Sequence, residues 1–313
     1  MTGGSIIDLG KLTEPATRLI DRIADATGVL YEPRRIRKRA EAEADAALIL
    51  ARGQADVDEF RRQAAARITS RELRRQANIE QIAVNAVKAL PSGTVEEAAL
   101  DEDWIFRFFG ECQDISDREM QELWGRMLAG EFARPGSFSL RTLATVRNMT
   151  QHDARQFSKM TCAIWNSDTG QAIAMLPNIE SETLDKLELS YTDILQFQAL
   201  GLLAISESGT VITDTDPGSS AMRISYFGED FRLSLPSPQS PKNLLRPDGR
   251  LSVSVGVVVL LSPGVELLRI CNAKPNPELK RQTLRWFEKQ GLEVVPTAEN
   301  SSNPADVPPL PPA

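Results

Sequence analysis

The chain is short of the residues that most enzyme chemistry uses: it has one histidine and three cysteines in 313 residues. A single histidine, His152, supports neither a multi-histidine metal site nor a Ser/His/Asp triad, and is expected at a surface or helix end. Cys112, Cys162 and Cys271 lie far apart in an odd number. That pattern argues against a disulfide framework and against thiolate metal spacing, and predicts small apolar core residues in a reducing compartment. Neither GxGxxG nor GxxxxGK[ST] occurs, so no glycine-rich phosphate loop is expected; CxxC and HExxH are also absent. The longest near-continuous apolar run, 251–261, is too short to span a bilayer and is rich in β-formers. MTGGSIIDLG has neither a basic leader nor an apolar run, so a cytoplasmic location is expected.

What remains is ordinary globular composition, 25% charged and 42% hydrophobic, with room for one to three domains. The net charge of −7 means that the whole chain is not built to coat nucleic acid or anionic lipid. The sign is uneven, however. Residues 34–75 hold 12 Lys/Arg and 7 Asp/Glu, against 24 and 36 in the remainder. Such asymmetry bears on partners where the total does not.

In chain order, residues 1–33 read as a loose start followed by one amphipathic helix over 15–30. Thr13 ahead of Pro15 opens that helix, and Leu19, Ile20, Ile23 and Leu30 follow at helical spacing. Residues 34–90 read as a long charged helix that ends at Pro91-Ser92-Gly93. Its apolar side chains are small and sparse, among them Ala40, Ala47, Val57, Phe60, Ile68 and Leu73. Such a helix buries little alone. It is expected to project as a stalk, or to pair with another helix in coiled-coil fashion.

The densest signal is DEDWIFRFFGECQDISDREMQELWGRMLAGEFARPGSFSLRTL, 101–143. Asp101, Glu102 and Asp103 fit a helix start. Ser116 and Glu119 read as a capping box for the next helix, with Met120, Leu123, Trp124, Met127 and Leu128 on its face. Ser139 caps a third helix, and Thr150 with Asp153 a fourth carrying Phe157, Ile164 and Trp165. A central helical unit over 100–166 is expected, with Trp104, Phe108, Trp124 and Leu128 as its structural hub.

Residues 167–295 read as α/β. A cap at Ser190 and Asp193 opens a helix that stops at Gly201-Leu202-Leu203; strands follow near 203–213, 221–227, 230–235 and 251–261; Ser262-Pro263-Gly264 opens another helix. That order points to a winged-helix-like domain. Its central helix, SYTDILQFQAL, has no Arg or Lys, which favours protein contact over DNA reading. Residues 296–313, ending VPPLPPA, read as a disordered Pro-rich tail. The fold class is therefore mainly α, with a long N-terminal helix and a C-terminal α/β domain of winged-helix type.

Two clusters merit a chemical test. Asp101, Glu102, Asp103, Glu111 and Asp114 have the composition of a Mg²⁺ site, but the first three are explained as helix-start charges and no catalytic lysine accompanies them. No metal and no cofactor are expected. Arg34, Arg35, Arg37, Lys38 and Arg39 form a candidate basic contact patch, continued by Arg52, Arg61, Arg62, Arg67, Arg71, Arg74 and Arg75. These are placed to meet phosphates, but almost no aromatic interleaves for base stacking, and the intervening acids also fit a solvated helix laced with ion pairs.

The 101–143 motif, with TRLIDRIADATGVLYEPRRIRKRAEAEA before it, resembles the uncharacterised bacterial domain-of-unknown-function family 2806 over most of the chain. A slighter similarity, to the abortive-infection Abi-alpha family, rests on a GLL helix end and on LSPGVELLRIC, with Leu267 or Leu268 where that family prefers an aromatic. The first resemblance implies no activity; the second implies a phage-defence setting. The leading expectation is a non-enzymatic interaction or regulatory protein that self-associates or meets a protein partner through 34–90. The alternatives are a nucleic-acid-binding regulator using 34–39 and a peripheral protein held on an anionic membrane surface by 15–39.

Overall fold

The computed structural model of the chain describes residues 13–27, 57–90, 100–176, 179, 181–213, 221–235, 244–246 and 250–297. These are mainly helical, with antiparallel sheets confined to the C-terminal part. No described helix is long and apolar enough to cross a membrane. The chain divides into two compact units, 1–147 and 148–313. The predicted basic run 34–39 and the Pro-rich tail from 298 onward lie outside the described residues.

The first unit contains α1 (Glu14–Thr27), α2 (Val57–Ala89), α3 (Glu102–Cys112), α4 (Arg118–Ala133) and α5 (Leu140–Asn148). The apolar face read in α1 is occupied within the unit: Leu19, Ile20 and Ile23 are buried, and α1 packs on α2 and α3. Asp101 caps α3 by accepting from the N–H groups of Asp103 and Trp104. The start of α4 departs from the sequence reading. Its N-cap is Asp117, which accepts from Met120 N at 3.0 Å, not Ser116. A carboxylate one residue further on reaches the same turn with a full charge. Ser116 Oγ accepts instead from Asn78 Nδ2 of α2 at 3.3 Å. After α4, the 134–136 turn is organised from within. Glu131, 2% exposed, accepts from Gly136 N at 2.6 Å and Phe138 N at 2.8 Å.

The second unit opens with α6 (Gln151–Met160), capped by the Thr150/Asp153 box read in the sequence. The predicted fourth helix is too long. It stops at Met160, passes through a 3-10 turn (Thr161–Ala163) and becomes β1 (Ile164–Ser167). The Thr161 hydroxyl donates to Ser158 O at 2.6 Å and closes the helix, while Ile164 and Trp165 have side chains suited to a pleated surface. Trp165 then fills the sheet core against Tyr226 and Phe231 instead of a helix face. The boundary expected at 166 moves accordingly to 147/148, because α6 serves the second unit: Phe157 meets Phe197 edge-on at 5.5 Å.

The remaining elements are β2 (Ala172–Ala174), α7 (Ser181–Asp185), α8 (Tyr191–Ala199), β3 (Leu203–Thr213), β4 (Ala221–Tyr226), β5 (Glu229–Ser234), β6 (Ser252–Leu260), α9 (Ser262–Leu268), α10 (Pro277–Lys289) and β7 (Glu293–Pro296). The Ser190/Asp193 capping box of α8 is present. One antiparallel sheet runs β2-β1-β4-β5-β7, and β3 pairs with β6 in a second. Leu176 crosses to β6 by a single bridge at Gly256. Gly256 has φ +127°, and a Cβ there would lie 1.9 Å from Leu176 O, so only glycine admits this approach.

Candidate functional site

The hub foreseen at Trp104, Phe108, Trp124 and Leu128 is a buried cluster. Trp104 stacks on Phe108 at 5.1 Å, and Phe108 meets Trp124 edge-on at 5.1 Å. The Trp104 indole N–H donates to Phe138 O at 2.6 Å, tying α3 to the segment before α5. This geometry is that of a packed core.

The hub's outer face anchors the long helix. Gly125 of α4 lies so close to α2 that an added Cβ would stand 2.6 Å from Asn85 Cβ. Further along α2, Asn78 and Gln121, both nearly buried, join side chain to side chain at 3.1 Å. Asn78 Nδ2 also donates to Gln113 O at 2.9 Å, and Gln121 Nε2 to Ile115 O at 2.9 Å. The last clamp is Arg75, whose Nε and Nη2 both donate to the Asp114 carboxylate at 2.8 Å. That bidentate pair holds Asp114 below the usual carboxylate range and raises Arg75. Asp114, a candidate metal ligand in sequence, is thus committed to an arginine.

N-terminal to this clamp, α2 changes character. Residues 59–74 are exposed or half-buried, a run of about 24 Å at the α-helical rise. Phe60 is 76% exposed and Ile68 53%. With Ala64 they lie at i, i+4 and i+8, one stripe along the helix. Arg61 and Arg67 flank that stripe and Arg71 continues it one turn beyond Ile68, while Glu59 lies on the far side of the helix and Glu72 at the edge next to Arg61. Arg62 pairs with Glu59 at 3.0 Å, and Arg71 and Arg75 with Glu72 at 3.2 Å, as a solvated helix would. Arg61 and Arg67 make no ion pair among the described residues. The structure therefore brings the predicted arginines 61–75 onto a helix whose apolar stripe no described residue covers; the candidate patch Arg34, Arg35, Arg37, Lys38 and Arg39 lies outside the described residues.

The other sequence candidates have structural partners. His152 Nε2 lies 3.2 Å from Asp193 Oδ1, and the Ser190 hydroxyl donates to Asp193 Oδ2 at 2.7 Å. A nucleophilic triad needs the imidazole between serine and carboxylate; here the carboxylate is in the middle, as a cap. Burial works against the charge on Asp193, but the N–H and hydroxyl of Ser190, with His152 and Gln156, outweigh it and hold the carboxyl below its usual range. Glu111 lies 2.7 Å from Arg147. Cys112 is buried, which pushes its thiol well above the usual range; Cys162 and Cys271 are half-buried instead of core residues. Among the described residues no three metal-ligating side chains gather.

Arg75–Asp114 and Asn78–Gln121 were not foreseen. Their partners are 35 or more residues apart, and no local pattern marks such pairs. No curated protein and no solved structure matches the chain. A family model described as Protein of unknown function (DUF2806) matches residues 62–283, from the exposed turns of α2 into α10, and the chain belongs to that family.

Proposed function

We propose that this is a non-enzymatic interaction protein whose exposed stretch of α2 docks an acidic amphipathic helix of a partner. The observation that carries this is the Phe60–Ala64–Ile68 stripe, with Phe60 and Ile68 exposed and Ala64 half-buried among the described residues, and arginines beside it. An apolar stripe of this kind is the usual anchor in helix-in-groove recognition. The border selects the occupant. A second copy packed antiparallel on the same stripe would set Arg61 against Arg67, like charges in contact, whereas carboxylates on a partner helix would meet both. Self-association through this stripe is accordingly the weaker form of the reading. A photo-reactive benzoylphenylalanine at Phe60 tests it in cells, with Ala66 on the far face as control. Adducts to a different chain, mapped to an acidic helical segment, are expected. Adducts only to itself, or none above the control, would overturn the proposal.

A finer reading of the C-terminal unit supports the same class of function. We assign the order α6, α7, α8, β3, β6 to a winged-helix type in which the β4–β5 hairpin is an insertion between the paired strands. Support comes from the turn that follows α8, with Gly201 at φ +73° two residues before β3. The exposed face of α8 offers Tyr191 and Leu195 and no cation, a surface suited to protein and not to phosphate backbone. Salt-dependent duplex-DNA binding abolished by substitutions on α8 would contradict this assignment.

A further inference from the structure

The C-terminal unit carries 14 Lys/Arg against 19 Asp/Glu, yet one groove in it has the opposite sign. The groove has a volume of about 640 Å³ and runs between α6, the turn after α7 and the 272–277 loop. Four cations line it: Arg155 and Lys159 from successive turns of α6, with Lys186 and Lys274 from the other two segments. Glu188 is the one carboxylate among the lining residues.

The walls are tied together from below. The buried Tyr226 hydroxyl donates to Cys162 O at 2.9 Å and accepts from Asn276 N at 2.8 Å. Asn276 in turn caps α10 with its Oδ1 and reaches Lys186 O with its Nδ2 at 3.4 Å. One hydrogen-bonded hub thus ties together the backbone at Cys162 after α6, at Lys186 and at Asn276, and so sets the spacing of the three lining segments. Glu188 adds a second feature. It sits at φ +52°, where glycine is the residue without strain. In that conformation its carboxylate lies 2.9 Å from Lys159 Nζ, an internal counter-ion on the cationic wall. Lys274 makes no ion pair among the described residues.

We propose that this groove binds a small ligand bearing two or more phosphoryl groups, with Glu188 as the built-in competitor for Lys159. The volume falls within the ~300–1,000 Å³ of small-molecule sites. Lys186 is paired with Glu182 at 3.1 Å and Lys159 with Glu188, so a phosphoryl ligand gains its charge by adding to or displacing these carboxylates beside Arg155 and Lys274. The site is independent of the α2 surface, and either assignment stands without the other.

The test is calorimetric titration of the full chain with inorganic tripolyphosphate at physiological salt, with folding of each variant checked by circular dichroism. Lys159 and Lys274 are exposed, so Lys159→Gln and Lys274→Gln are expected to fold. Saturable binding of one ligand per chain is expected, weakened about tenfold by either lysine substitution. Glu188→Gln is expected to tighten it about threefold, and Arg223→Gln, on β4, to leave it unchanged. Vesicles carrying a bisphosphorylated inositol headgroup, and duplex DNA, separate the sources of phosphate: binding to either that tripolyphosphate displaces supports the site. No saturable binding by the native chain, or binding indifferent to both lysines, would each overturn it.

Discussion

Trp124 is fully buried, meets Phe108 edge-on and stands in the helix that grips α2. Trp124→Ala is expected to cost about 3–5 kcal/mol through lost burial and the cavity left behind. Urea denaturation measures it; a variant as stable as the native chain but without function would return this residue to the list of functional ones. Asp193 carries a pH prediction. Its folded-state pKa is depressed, so its contribution to stability is present above the unfolded value of about 3.9 and is lost as pH falls through the folded one. Asp193→Asn is expected to cost about 1 kcal/mol at pH 7 and to flatten the acid limb of the stability profile. An unchanged acid limb would assign that titration to other carboxylates. Caps of this kind were legible residue by residue at Thr150, Ser139 and Ser190, because the cap and its partner sit three residues apart. Where two polar residues compete, as Ser116 and Asp117 do, spacing alone selected the wrong one: Asp117 brings a full charge to the turn, and Ser116 accepts from Asn78 of α2 instead.

At the scale of elements, α2 is divided at Arg75. Its C-terminal half contributes Ile82, Ala83, Val84 and Ala86 to the core, while its N-terminal half contributes none among 59–74. Hydrogen exchange is expected to show this division, with the amides of 59–74 exchanging well before those of 78–89. Uniform protection along the helix would mean that the stripe is already covered in the free protein. The sequence showed sparse apolar residues throughout this helix and could not separate the halves. Ala86 is small, and Gly125 lets α4 approach the backbone at Asn85 and Ala86, a fact about a different helix. The opposite error occurred at 161–165. Ile164 and Trp165 continue the helical spacing of Phe157, but their burial belongs to the sheet, and a spacing pattern does not say which partner an apolar residue meets.

For the whole molecule, the division at 147/148 gives each unit its own buried cluster. The second is built on Trp165, Tyr226, Phe231, Val253 and Phe287. Residues 148–297 expressed alone are therefore expected to unfold cooperatively and to keep the tripolyphosphate site, measured by thermal denaturation and titration of the fragment. A fragment without a cooperative transition would mean that this core needs the first unit.

By itself the sequence determined most element types and helix starts, the aromatic hub and membership of its family, because each is written in patterns a few residues long or in a motif of fixed order. Tertiary structure alone decided which half of the long helix is uncovered, where the units divide and which charges face one another. Arg75 meets Asp114, and Arg155, Lys159, Lys186 and Lys274 line one groove, through folding that joins residues far apart in the chain. Local spacing carries no record of such encounters: burial and charge are properties of what an element packs against, and that is set by the rest of the molecule.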